Sequence, residues 1–383
     1  MYSKTLVFTG SCLGMLLFGV SLITLGSMAT ELQAKFSLDA LGAGTIFSLL
    51  PFGILAGSFI FGPVGDRWGY KALLILACFG MFLGFQGIAF ANELLFLQVS
   101  IFIFGVGGGV INGTTNALVA DISKEKHGAN LSLLGVFFGL GALGMPLVLG
   151  AAAGIVSSFY VIASVGVFTL VVAGYYALIA FPPAKLRDAP DAFEWKQLAS
   201  PLLIVIAFFL FCQSSLEAII NNWTTTYVTS RGVMSEANAL YALSLHIVGM
   251  VVMRLLMGSL FRNVSQVVLM WTCLLLLFVG VLLMQVGGAN IATLGLVLSG
   301  AGVAGGFPIM LGFVGERYAA FSGTAFSFVF VVALIGNMLI NYLTGVIIQT
   351  HGVEHLVTVS YVEIAVMAAL FVIIIRNLKV GEQ

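Results

Sequence analysis

The chain has 383 residues, of which 60% are hydrophobic and only 8% charged, with a mean hydropathy of +1.14 and a formal net charge of zero. A soluble domain of this length is far more polar, and an electroneutral chain offers no basic footprint for nucleic acid. Apolar runs of about 20 residues, the length of a bilayer-crossing helix, recur along almost the whole sequence, which predicts an integral membrane protein.

Twelve spans are expected, near 6–28, 42–63, 71–90, 93–120, 128–153, 158–181, 199–229, 234–261, 264–286, 288–315, 321–346 and 355–377. Backbone groups in lipid have to be satisfied within the segment, so the runs predict helices; a strand barrel would need short alternating segments. Residues 6–28 are long enough for a true span and are not read as a cleavable leader. A charged, glycine-rich turn, Gly62-Pro-Val-Gly-Asp66-Arg67-Trp-Gly69-Tyr-Lys71, separates the second and third spans. The longest polar interruption, 182–198, divides six spans from six. It predicts an N-terminal six-helix bundle over 1–181, a cytoplasmic linker over 182–198 and a second bundle over 199–383. With the amino terminus inside, twelve Lys and Arg residues fall on the cytoplasmic side and only Lys35 and Arg231 on the other, with Arg254 inside the eighth span. That asymmetry predicts cytoplasmic termini. The two halves echo each other: Gly258-Ser-Leu-Phe261-Arg262 follows the eighth span as Gly62-Pro-Val-Gly-Asp66-Arg67 follows the second, with Phe261 in place of the acid.

Several motifs carry no chemistry on this reading. Cys12, Cys78, Cys212 and Cys273 are widely spaced within apolar runs, so neither a disulfide framework nor a metal site is expected. The four histidines lack ligand spacing. Gly139-Leu-Gly141-Ala-Leu-Gly144 and Gly300-Ala-Gly302-Val-Ala-Gly305 match a dinucleotide fingerprint but lie inside spans, where small residues let helices approach closely. No cofactor and no enzymatic activity are expected.

Function is sought instead among polar groups at membrane depth, each of which costs roughly 3 kcal/mol or more when ionisable. Glu217, Arg254 and Glu363 are the charged ones, and His246 titrates near neutrality when unperturbed. The seventh span carries Gln213, Glu217, Asn221 and Thr224 as one stripe, flanked by Trp223 and Tyr227. Amides and a carboxylate supply donors and acceptors, and aromatic rings pack on C–H faces, so the mixture suits a neutral polyhydroxylated solute; a helix-packing stripe is the alternative. The fourth span carries Asn112, Thr115 and Asn116, the eleventh Asn337, Asn341 and Thr344, with packing or gating as the alternative for the last set. Arg254 is a gate residue or a snorkelling side chain near the end of its helix. Glu363, on an outer helix, is read first as having a structural partner.

The Gly62–Lys71 turn resembles the loop signature of the major facilitator superfamily, Gly-x-x-x-Asp-Arg-x-Gly-Arg-Lys/Arg, and departs from it only at Tyr70. Phe211-Cys-Gln213-Ser-Ser-Leu-Glu217 through Trp223 to Tyr227, Gly107 through Asn112 and Asn116 to Asp121, and Gly139 through Pro146 resemble helices 7, 4 and 5 of the fucose–galactose–glucose/proton symporter family. The resemblance implies an all-α major facilitator fold of two pseudo-symmetric six-helix bundles and a hexose-like substrate. It implies Glu217 and Trp223 at the cavity, with Asn112 and Asn116 on the opposite wall. Fucose-type members carry acids in helices 1 and 4 for proton coupling; here helix 1 has none and helix 4 only Asp121. Proton symport through Glu217 or His246 and uniport both stay open, and a proton-coupled drug or metabolite exporter of the same fold is the alternative function. The expected partners are a small neutral sugar, a proton under symport and the lipid bilayer; the expected form is a monomer in a bacterial inner membrane. Gly62, Asp66, Arg67 and Arg254 are the expected gating residues, with Asp66 meeting a helix N-terminus.

Overall fold

The computed structural model describes residues 2–37, 40–123, 127–152, 155–184 and 198–380. Among these it has fourteen α-helices and no strand: α1 Lys4–Ser27, α2 Ala29–Phe36, α3 Ala40–Trp68, α4 Tyr70–Phe90, α5 Leu94–Ile122, α6 His127–Ala152, α7 Ser158–Leu178, α8 Pro201–Ser230, α9 Glu236–Gly258, α10 Gln266–Val286, α11 Ala289–Val303, α12 Gly306–Arg317, α13 Ser322–His351 and α14 His355–Val380. Among the described residues twelve helical stretches are long and apolar enough to cross a membrane, α11 and α12 together forming the tenth. Of the expected linker 182–198, residues 185–197 lie outside the described residues.

The chain divides into two compact units. One comprises Met1–Lys124, Phe137–Phe193 and Tyr318–Phe328; the other comprises Glu125–Val136, Glu194–Arg317 and Val329–Gln383. The same packing scheme recurs in each. In the first, α3 and α4 pack on α5, and α7 packs on α4 and α1; in the second, α9 and α10 pack on α11, and α14 packs on α10 and α8. Small residues permit these contacts: a methyl on Gly141 would meet the α1 backbone at Leu16, and one on Gly300 the α9 backbone at His246. Both fingerprint-like glycine runs therefore sit in helix contacts.

Three features depart from the expected spans. The charged turn is mostly helix, because α3 continues through Gly62–Trp68 and the chain reverses at Gly69 alone, whose φ of +85° suits only glycine without strain. The tenth span is broken, since α11 stops at Val303 and α12 restarts at Gly306, with Pro308 in its first turn where a missing N–H is tolerated. A short helix, α2, follows the first span; eight residues are too few to register as an apolar run. It is tied to α7 by the Ser158 hydroxyl, which donates to Glu31 Oε1 at 2.6 Å, and by Lys35 Nζ, 4.5 Å above the Phe159 ring.

Candidate functional site

The first polar constellation lies where α3 ends against the start of α13. Helix α13 begins at Ser322, so the N–H groups of Gly323 and Thr324 have no partner within the helix and carry its positive end. The fully buried Asp66 takes them. Its Oδ2 accepts from Thr324 N–H at 2.7 Å and from the Thr324 hydroxyl at 2.8 Å; its Oδ1 accepts from Gly323 N–H at 3.2 Å and from Tyr70 OH at 3.1 Å. Nearby, Ser322 Oγ donates to Asp121 Oδ1 at 2.7 Å. Gly62 makes the approach possible, since a methyl there would lie 2.5 Å from Gly323 O. Arg67 is exposed, its guanidinium 5.3 Å from the Trp68 ring centroid, and it makes no ion pair among the described residues.

One bond here was not anticipated. Pro63 has no N–H, so the Phe59 carbonyl four residues earlier loses its helical partner. Ser327 Oγ of α13 donates to that carbonyl at 3.1 Å and also contacts Ser58 O. Pro63→Ala supplies the missing N–H, so Ser327→Ala is expected to destabilise the protein less in the Pro63→Ala background than alone. The expected coupling is about 0.5–1.5 kcal/mol in a double-mutant cycle read from thermal unfolding in detergent. Equal costs in both backgrounds would show that the two sites are independent.

The second unit repeats this arrangement with different chemistry. A methyl on Gly258 would run into Leu133 and the Ala129 carbonyl at the start of α6, as one on Gly62 would into the start of α13. Four residues after the glycine, where the first copy has Asp66, stands Arg262 and not the expected Phe261; Arg262 donates from Nη2 to Asn130 Oδ1 at 3.1 Å. Arg254 does not snorkel. It is 6% exposed and reaches Gly135 O and Ala304 O, each at 3.4 Å. Ala304 is one of two residues between α11 and α12, and Gln213 Nε2 donates to Val303 O at 2.9 Å. Two side chains thus receive carbonyls that the helix break releases, which lets a discontinuous helix exist at membrane depth. Glu217 is half-buried and lies within Coulombic reach of Arg254.

The remaining candidates separate into packing groups and accessible groups. Gln213 is 1% exposed and committed to the helix break. Asn337 Nδ2 donates to Ser214 O at 3.1 Å and to Ser214 Oγ at 3.3 Å, tying α13 to α8. His246 is buried; its Nδ1 lies 3.0 Å from Ser299 Oγ and 3.2 Å from Leu296 O, so the ring ties α9 to α11. Asn112 and Asn116 pair on one face of α5, where Asn116 Nδ2 donates to Asn112 O at 2.8 Å and to its Oδ1 at 3.1 Å. Asn112 is half-buried. Asn221 is exposed, and Trp223 is half-buried beside Gly345. The side chain of Asn341 lies outside the described residues. Sequence reasoning missed Thr324, Ser327 and Asn130. Only Pro63 and the Gly305-Gly306-Phe-Pro308 run signalled that carbonyls would need outside donors.

A model of the Major Facilitator Superfamily matches residues 10–340. The chain belongs to that superfamily. It is a multi-pass membrane transporter by that membership and by its twelve apolar spans. Over 340 residues it is 23% identical to the glucose/mannose transporter GlcP of Bacillus subtilis (strain 168), covering 85% of this chain and 84% of that one. The structure of FucP in an outward conformation, the Escherichia coli fucose:proton symporter, superposes with a TM-score of 0.83 at 18% identity, covering 96% of this chain and 98% of that one. The human organic anion transporter MFSD10 gives 0.78 at 17% identity, covering 98% and 100%. Superfamily members with such different cargoes superpose almost equally well, so this likeness carries the fold and not the cargo.

Proposed function

We propose that this transporter moves a hexose-like monosaccharide by alternating access, as a proton symporter or a uniporter. The observation that carries the reading is the relationship to a glucose/mannose transporter over 85% of the chain. Two sets of side chains support it. Asn112 and Asn116 present amides on α5, and Glu217, Asn221 and Trp223 combine a carboxyl, an amide and an aromatic face on α8, all types that suit sugar hydroxyls and ring C–H edges. Gln213, Asn337 and His246 act as helix ties. Asp66 with Gly62 at the start of α13, Gly258 against the start of α6, and Arg254 against α6 and the helix break act as the gate of the cycle. Both termini face the cytoplasm of a bacterial inner membrane, consistent with the Lys and Arg asymmetry.

Counterflow of labelled D-glucose in proteoliposomes tests this reading. We expect saturable exchange that unlabelled hexoses suppress and lipophilic cations do not. The reverse competition pattern would replace the sugar reading with a drug or metabolite exporter.

A further inference from the structure

A carboxyl away from the proposed sugar-binding residues is built to hold a proton. Glu363 of α14 is 6% exposed and faces α8. Its Oε1 meets Ser215 Oγ, while its Oε2 is buried with no hydrogen-bond partner among the described residues. Ser215 Oγ also lies 2.9 Å from the Cys212 carbonyl. Of the groups packed against Glu363, Cys212 is the titratable one within Coulombic reach on α8. Helix α10, which also packs on α14, contains no Asp, Glu, Lys, Arg or His, and its Cys273 turns toward Ala301 and Gly305. On α14 itself, Tyr361 is engaged with Gln285 Oε1 at 3.0 Å. No basic side chain among the described residues faces the carboxyl.

The hydrogen count decides between two forms. Ser215 has one hydroxyl proton and two acceptors beside it. If Glu363 is ionised, Ser215 serves either the carboxylate or the Cys212 carbonyl, and a charged, unpartnered oxygen stays buried at membrane depth, where its desolvation is uncompensated. If Glu363 holds a proton on Oε1, it donates to Ser215 Oγ, and Ser215 then donates to Cys212 O. Every donor is used once, and the orphan oxygen is a neutral carbonyl. The arrangement fits the acid.

We infer that Glu363 and Ser215 form a proton-binding site whose proton is carried with the transported substrate, an inference that rests on the sugar-transport reading above. The step is simple protonation: the carboxylate accepts H+ from water on one side of the membrane and returns it on the other, with no other bond made or broken. Losing the proton reverses the Ser215 hydroxyl and places a bare charge between α14 and α8. Helix α8 also carries Glu217, Asn221 and Trp223, so the protonation state acts on the helix that is proposed to hold the sugar.

Two measurements on the purified full-length protein test this. Infrared spectroscopy without substrate reads the stretching band of a protonated carboxyl. We expect Glu363→Gln to remove a band that Glu217→Gln keeps; a spectrum unaltered by Glu363→Gln overturns the inference. In proteoliposomes, the wild type is expected to accumulate D-glucose when an inward proton gradient is imposed. Glu363→Gln, an isostere of the protonated form, is expected to exchange glucose by counterflow yet to lose at least tenfold of that accumulation. Equal accumulation by both, or wild-type uptake that ignores the gradient, overturns it. If the wild type moves no hexose at all, the sugar reading fails separately, and the infrared band still decides whether Glu363 binds a proton.

Discussion

Asp66→Asn is expected to lower turnover roughly ten- to a hundredfold while leaving substrate affinity within about threefold. The Asp66 carboxylate accepts from two backbone N–H groups at the start of α13, from the Thr324 hydroxyl and from Tyr70. An amide of the same shape keeps one acceptor oxygen but turns an NH2 group toward donors that need an acceptor. Hydrogen bonds to a charged group contribute about 1.5–3 kcal/mol, and the favourable helix-end charge is lost as well. A bias of that size shifts a two-state equilibrium by roughly ten- to a hundredfold, and a carrier cycles fast only when both of its states are accessible. Affinity is spared because no candidate sugar-binding residue touches Asp66. Counterflow rates and equilibrium binding on the same preparation separate the two quantities. Thr324→Val, which deletes one of the four donors, is expected to have a smaller effect in the same direction. Unchanged turnover in Asp66→Asn would show that this contact does not limit the cycle.

The acid and its helix-end partner were legible in the sequence for a physical reason. A charged turn is conspicuous where charge is scarce, and an anion beside helix starts has few places to go. The twelve spans were legible because lipid demands long apolar helices, whatever their tertiary contacts. The breaks within spans were less so. Gly305-Gly306-Phe-Pro308 lies in an apolar run, and hydropathy does not register that α11 stops at Val303. What the break requires is supplied from far away in sequence, by Gln213 and Arg254. The same holds for Pro63, whose consequence appears at Ser327, and for Gly258, whose partner is the start of α6. The stripe Gln213–Glu217–Asn221 has the spacing of a single face, yet its members differ. Gln213 is buried on the helix break, Glu217 is half-buried beside an arginine, and Asn221 is exposed. Helical periodicity assigns a face but not the neighbour that each turn of that face meets.

That distinction matters most at Arg254, where truncation is expected to have the largest effect on stability of any single change in the second unit. Arg254→Ala leaves Glu217 without its compensating charge and leaves the carbonyl of Ala304, released by the helix break, without its side-chain donor. Breaking a charge interaction whose acid is half-buried costs between the about 1 kcal/mol of an exposed pair and the about 3–5 kcal/mol of a fully buried one, because the other member stays behind uncompensated. For a protein of this size that corresponds to a fall in melting temperature of roughly 5 °C, together with a lower yield of monodisperse protein. Glu217→Gln in the Arg254→Ala background removes the stranded charge, so more than half of the loss is expected to return; the Ala304 carbonyl still lacks its donor, so recovery stays incomplete. Arg254→Lys keeps the charge but not the forked donors and is expected to fall between wild type and Arg254→Ala. Melting curves of the wild type and the three variants in detergent decide the matter. A wild-type melt in Arg254→Ala, or no recovery on adding Glu217→Gln, would overturn the pairing. Counterflow then separates two roles of the carboxyl. If Glu217 only balances Arg254, the doubly substituted protein regains sugar exchange along with its stability. If Glu217 also hydrogen-bonds the sugar, stability returns and exchange does not.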